Sequence, residues 1–235
     1  MKAKKSFLII ALAVFSAGAS AQFTTNGGST TFGLVKDCAP YNRFYASYNP
    51  HAIKTASDVV DNRNFTGFSV GYTHGFSVSE QLPFFVELGA RFNYSFKNED
   101  SSDYDANMKY KYMNVAVPVN LAYKLTFPNG KVSISPYLGL TLKYNIEGKV
   151  KIDFDSEYLK LNDIEVDCFD KEDMKEYGSY IGSEKVFRRI QIGWQVGAGF
   201  SYNALYLGLH YGCDFGEITK NAKISNWGLS IGANF

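Results

Sequence analysis

The sequence predicts an all-β chain, an eight-stranded antiparallel up-and-down transmembrane β-barrel, and three observations carry that prediction. Apolar and polar residues alternate with a period of two along most of the chain past residue 40. The glycines fall on the phase opposite the bulky apolar side chains. Beyond the N-terminus no segment holds about 18 uninterrupted apolar residues, so a crossing of a bilayer has to use strands.

The alternation is plainest where Phe84, Val86, Leu88, Ala90, Phe92 and Tyr94 interleave with Phe85, Glu87, Gly89, Arg91 and Asn93. It recurs in Met113, Val115, Val117, Val119, Leu121 and Tyr123, set against Asn114, Ala116, Pro118, Asn120 and Ala122. Strands are expected near residues 41–49, 65–76, 83–96, 110–125, 131–145, 188–202, 204–214 and 224–235. Glycine decides which face looks inward. Gly67, Gly71, Gly75, Gly89, Gly139, Gly193, Gly197, Gly199, Gly208, Gly212, Gly228 and Gly232 share the polar phase, where small residues suit a narrow interior. A soluble, lipocalin-like barrel of this phase would expose rows of glycine to water without compensating packing.

The ends of the strands agree. Aromatic residues cluster at the tips of the apolar stripes, with Tyr94, Tyr144, Tyr211 and Trp227 at one end and Tyr123, Tyr202 and Phe235 at the other, which predicts two girdles. Connections alternate in length: Ser77 to Leu82, Thr126 to Gly130 and Asn203 are short, whereas 50–64, 97–109, 146–187 and 215–223 are long. Short turns are expected in the periplasm and long loops outside. Pro118 and Pro136 interrupt strands that need their missing N–H groups, and local bulges are expected there.

The N-terminus predicts export. Met1 to Lys5 is basic, Phe7 to Phe15 is apolar and Ala19-Ser20-Ala21 supplies a small-residue cleavage site, so the mature chain is expected to begin at Gln22. The domain reading is a signal peptide at 1–21, a periplasmic segment at 22–40 and an outer-membrane barrel at 41–235 with a long extracellular loop at 146–187. With 24 basic against 23 acidic residues the 235-residue chain carries a formal charge of +1, and nucleic acid is not an expected partner. Outer-membrane lipid and lipopolysaccharide are.

Three segments resemble the outer-membrane β-barrel family abundant in Bacteroidetes, which includes PorT-like proteins and relates loosely to OmpA and OmpX barrels. They are Asn114-Val115-Ala116-Val117-Pro118-Val119-Asn120-Leu121-Ala122-Tyr123-Lys124, then Pro136-Tyr137-Leu138-Gly139-Leu140, then Gly193-Trp194-Gln195-Val196-Gly197-Ala198-Gly199-Phe200 with Leu205-Tyr206-Leu207-Gly208-Leu209-His210-Tyr211. The resemblance implies a fold and a cell-surface location, and it transfers no catalytic residue.

The chemistry expected inside the barrel is a polar network of Arg43, Glu87, Arg91, Lys124, Tyr137, Gln191, Gln195, Tyr206, His210 and Asp214, with Arg43 and Lys124 as candidates to meet Glu87. Such groups pair in a confined site rather than remain unsatisfied. A conductive lumen is the other reading. His51, His74 and His210 are tied by spacing to no serine and acid, so no catalytic residue and no enzyme activity is expected, and no HExxH or CxxC marks a metal site or cofactor.

Residues 146–187 hold 12 acids and 6 lysines, which predicts a solvated surface. Lys149 to Asp155 alternates in a way that extends the fifth strand, and Asp163 to Phe169 is a candidate partner strand. Asp153, Asp155 and Glu157 are calcium candidates, although they match no twelve-residue calcium loop. Of three cysteines, Cys168 and Cys213 are expected on the same side and form the first candidate disulfide, with Cys38 left over. The expected function is that of a structural or surface-interacting outer-membrane barrel of the porin or OmpA type, meeting host surfaces or protein partners through its loops. A narrow channel or secretion accessory and a lipid-modifying enzyme are the alternatives.

Overall fold

A computed structural model describes residues 34–55, 63–101, 106–154, 163–179, 185–219 and 222–235. The expected signal peptide and cleavage point lie outside the described residues, as does most of segment 22–40. Strand follows strand: β1 Tyr41–Tyr48, β2 His51–Thr55, β3 Arg63–Ser77, β4 Phe84–Ser101, β5 Ala106–Tyr123, β6 Leu125–Thr126, β7 Val132–Phe154, β8 Ile164–Asp167, β9 Ile190–Tyr202, β10 Leu205–Asp214 and β11 Ala222–Asn234. Among the described residues one helix, α1 Lys171–Tyr177, lies between β8 and β9.

All pairings are antiparallel in a single sheet of order β1-β11-β10-β9-β7-β5-β4-β3-β2. Strand β1 also pairs with β3, from Tyr41 opposite Gly75 to Tyr48 opposite Phe68, so the ladder returns to its starting strand and leaves no edge along β1. The N–H of Asn42 donates to the carbonyl of Phe235 at 2.9 Å, and Phe235 N–H donates back at the same distance.

The expected count of eight is corrected to eleven strands among the described residues, and proline explains two of the three extra. Strand β2 is the direction of β1 resumed after Pro50, which has no N–H to give the ladder. Strand β6 is β5 resumed after a gap opposite Pro136 and Ser135, where Lys124 turns its N–H to the carbonyl of Pro83 instead, at 2.9 Å. The third, β8, answers the upper end of β7, with Lys149 opposite Asp167 and Ile152 opposite Ile164.

Bulges at the prolines are not formed. Register holds across both, the β4–β5 ladder skipping only the positions between Leu88 opposite Val119 and Arg91 opposite Ala116. The register shift falls elsewhere, between Met113 and Asn114, where Ile146 is the extra residue on β7.

Burial follows the alternation. On β4 Phe85, Glu87, Gly89, Arg91, Asn93 and Ser95 are buried while Val86, Leu88, Ala90, Phe92 and Phe96 are exposed. Bulky apolar side chains thus cover the outside of a closed sheet whose interior is polar. Interior glycines make room for rings: a Cβ on Gly197 would lie 2.5 Å from the Tyr137 hydroxyl, and one on Gly228 would strike the His210 ring. Trp227, Tyr144, Tyr202 and Phe235 are exposed as girdle residues should be. Tyr123 is a correction to that set: it is buried and packs edge-on against Phe84, with ring centroids 4.7 Å apart.

The long loop is the second correction. Instead of a wholly solvated surface, its described part contributes a hydrophobic cap at the loop end of the sheet, built from Val150, Ile152, Val166, Cys168 and Met174 with Phe65, Met108 and Tyr110. The alternation of β7 above Ile146 puts Val150 and Ile152 inside and Lys149 and Lys151 outside, so a charged sequence still owns a greasy face. Helix α1 is capped by Asp170, whose carboxylate accepts from Glu172 N–H and Asp173 N–H, and buries Met174 in the cap.

Candidate functional site

Two polar layers fill the interior between the turn end and the cap. In the lower one Glu87, 1% exposed, accepts from the Tyr41 hydroxyl at 2.5 Å, from Arg43 Nη1 at 3.0 Å and from Asn120 Nδ2 at 3.0 Å. Asn120 in turn accepts from Gln195 Nε2 at 2.7 Å. Arg43 completes its fork with Asn234 Oδ1 at 2.9 Å and lies 3.8 Å over the Tyr206 ring. Every donor to Glu87 comes from outside its own strand, and together they satisfy the carboxylate as its burial requires.

In the upper layer Lys143 Nζ donates to Asp214 Oδ1 at 2.6 Å. A relay of amides crosses the space, with Asn226 donating to Asn49, Asn49 to Asn93 and Asn93 to Asn114, at 3.0, 3.0 and 2.7 Å. Tyr112 donates to Asn145 Oδ1 at 2.5 Å, and Asn145 Nδ2 to Gln191 Oε1 at 3.0 Å. Arg91 Nη1 lies 3.3 Å from His210 Nε2.

Of the residues expected in this network, Arg43, Glu87, Arg91, Tyr137, Gln191, Gln195, Tyr206, His210 and Asp214 are all buried in the interior. Lys124 is the exception: it sits at the turn-end rim and pairs with Asp37 at 2.6 Å, leaving Glu87 to Arg43. Sequence reasoning missed Lys143, Tyr41, Asn120, Asn145, His51 and the amide relay. Their signal was present in the alternation of the strands, which turns them to the same side as the interior glycines, but nothing in a short amide marks it as a network member.

The disulfide expectation is corrected, because Cys38, Cys168 and Cys213 are all free. Cys213 follows Leu209 and Tyr211 on the outward phase of β10, whereas Cys168 is locked in the cap beneath α1 and β8. Burial pushes the Cys168 thiol up to about 12. Mass spectrometry of unreduced protein is therefore expected to count three free thiols, and native alkylation at pH 8 to modify Cys38 well before Cys168; equal rates would show that the cap opens freely.

The calcium candidates are not assembled in the described residues. Asp153 is held by Lys109 at 2.7 Å and Lys151 at 2.8 Å, and those hydrogen bonds keep its carboxyl below the usual range; Asp155 and Glu157 lie outside the described residues. Nearby, Lys149 pairs with Glu165. No group of three His, Cys, Asp or Glu close enough for a metal ion occurs among the described residues.

A closed antiparallel sheet with an apolar outer surface and a polar, hydrogen-bonded interior defines the β-barrel class of outer-membrane proteins. Residues 62–220 match the family described as outer membrane protein beta-barrel domain, and the chain belongs to it. Among solved structures, the attachment invasion locus protein Ail of Yersinia pestis, in complex with the heparin analogue sucrose octasulfate, is similar at 16% identity over 83% of this chain and 99% of its own, with a TM-score of 0.46. Neisserial surface protein A is similar at 13% identity over 83% and 97%, with a TM-score of 0.43. A major outer membrane protein from Thermus thermophilus is similar at 12% identity over 82% and 99%, with a TM-score of 0.44. Likeness at these values says nothing of activity. No curated protein matches the chain by sequence.

Proposed function

We propose that the protein is an integral outer-membrane barrel whose eight long strands, β1, β3, β4, β5, β7, β9, β10 and β11, form the transmembrane wall, and whose role is structural or surface-interacting rather than catalytic. The observation that carries this is the pairing of an apolar outside with a filled inside. On β7 the exposed side chains Leu138, Leu140, Leu142, Tyr144 and Ile146 cover roughly 26 Å along the strand at about 3.3 Å per residue. With the tilt of about 35–45° that strands of such barrels take, this is roughly 20 Å of height, most of the apolar band of about 25 Å that they present to acyl chains. Inside, the Glu87 and Lys143 layers and the cap occupy the path a solute would take.

In this reading residues 1–21 are removed on export, the turn end and segment 22–40 face the periplasm, and the cap faces outward. Lipid and lipopolysaccharide surround the wall, while the β7–β8 extension and α1 meet host surfaces or protein partners. Kinship with the PorT-like barrels of Bacteroidetes is part of the same proposal, supported by the three segments that resemble them.

The test is conductance. Purified, refolded protein added to planar bilayers is expected to give no resolvable single-channel steps at moderate voltage, because each interior layer is hydrogen-bonded across the lumen. A stable conductance would replace this reading with that of a narrow channel, and an altered lipid A mass spectrum on deletion of the gene would replace it with an enzyme.

A further inference from the structure

Arg91 is a buried cation without a carboxylate partner among the described residues. Among the described residues five ionic groups are buried inside the sheet: Arg43, Arg91, Lys143, Glu87 and Asp214. Glu87 is taken by Arg43 at 3.0 Å and Asp214 by Lys143 at 2.6 Å, so one positive charge is left over. A guanidinium cannot discharge itself by losing a proton, and an uncompensated buried charge is strongly unfavourable. Its Nη1 reaches only the imidazole of His210, and its Nε has no hydrogen-bond partner.

The space beside it is built for a counter-ion. Arg91 lines a cavity of about 20 Å³ together with Lys143, His51, Tyr112, Asn93 and Asn226, and no carboxylate borders it. His51 is 8% exposed, and its Nε2 likewise has no partner. One void is thus lined by two cationic side chains, Arg91 and Lys143, and by two residues that each carry an unpartnered nitrogen, Arg91 and His51. His210 Nε2 lies within reach of both Arg91 Nη1 and Asn226 Nδ2, so it accepts and its ring is neutral there. The volume suits a single small occupant, a water molecule or a monatomic anion, and is too small for phosphate, sulfate or organic acids.

We propose that this cavity binds one monovalent halide ion, chloride in a saline medium, with Arg91 Nε and His51 Nε2 as donors and Lys143 adding charge. The ion balances the charge that Arg91 leaves over once the Arg43–Glu87 and Lys143–Asp214 pairs are made. It goes beyond the structural role proposed above and does not depend on which partners the loops meet.

The experiment uses the full mature chain refolded in detergent. Thermal unfolding is followed in sodium chloride, bromide, gluconate and sulfate at matched ionic strength, and crystals grown in bromide are mapped by anomalous scattering. Chloride and bromide are expected to raise the midpoint by a few degrees in a saturable manner relative to gluconate, whereas sulfate gives only the non-saturating rise of an excluded salt. An anomalous peak is expected within hydrogen-bond distance of Arg91 and His51, and Arg91→Gln should lose the halide dependence. No saturable halide-dependent rise over gluconate for the unaltered chain, or a bromide map with no peak in this cavity, would overturn the proposal; both readouts stand even if the variant fails to fold.

Discussion

Glu87→Ala is expected to destabilise the folded protein by about 3–5 kcal/mol, the cost of leaving one member of a buried ion pair uncompensated. The substitution strands three donors together: the Arg43 guanidinium, the Tyr41 hydroxyl and the Asn120 amide, all of which converge on this one carboxylate. All three are largely withdrawn from solvent, Arg43 4% exposed, Asn120 6% and Tyr41 8%. Urea unfolding in lipid vesicles, read by the shift between folded and unfolded mobility in unheated gels, measures the loss. The double variant Arg43→Met with Glu87→Leu should recover only part of it, since it removes the stranded guanidinium while the Tyr41 hydroxyl and the Asn120 amide still lack their acceptor. A loss below about 1 kcal/mol for Glu87→Ala would mean that water reaches the interior and screens the pair.

Leu140→Arg is the second large effect, and its sign is informative. Leu140 is 55% exposed, and a substitution at so open a position on a water-soluble protein would change stability by no more than about 0.5 kcal/mol. At the middle of a lipid-facing strand the same change should cost about 2–4 kcal/mol. Leu140 lies inside the apolar stripe of β7, two residues from its midpoint at Leu142, between Val119 on β5 and Trp194 on β9. The penalty should shrink for the equivalent change at Ile146, at the upper edge of the stripe, where an arginine reaches the headgroups. Equal, negligible effects at both positions would remove the membrane from the account of this surface.

The two substitutions probe opposite faces of the sheet, and the faces differ in how far sequence could describe them. The outward stripe was legible residue by residue, because a strand sends alternate side chains to opposite sides whatever its partners are. Val86, Leu88 and Phe92 needed no tertiary information to be placed outside, nor did Glu87 and Arg91 to be placed inside. Tyr123 keeps its register opposite Phe84, but at the end of β5, where the ladder is interrupted opposite Pro136 and Ser135, it is buried against the Phe84 ring rather than left exposed.

Pairing inside the sheet was a different matter. Arg43 and Lys124 looked equally able to reach Glu87, and their sequence separations from it carry no preference. Register decided: β1 and β3 bring Tyr41 opposite Gly75, and β3 and β4 bring Gly75 opposite Glu87, which sets the ring of Tyr41 and the neighbouring Arg43 over the carboxylate. Lys124, at the rim, instead meets Asp37 from the segment before β1. The cap was half visible in the same way. The alternation of Val150 and Ile152 could be read along β7, yet their burial depends on β8, α1 and Phe65 arriving from elsewhere in the chain.

What the sequence determined by itself was therefore the property that each strand carries alone, its two-faced pattern, and with it the inward place of glycine and the outward place of hydrocarbon. Only the tertiary structure decided which groups meet: Glu87 with Arg43, Lys143 with Asp214, Cys168 with Met174 and no other thiol, Arg91 with no acid among the described residues. The physical reason is that facing is fixed by backbone geometry over two residues, whereas contact across a closed sheet depends on the register and curvature of every strand between.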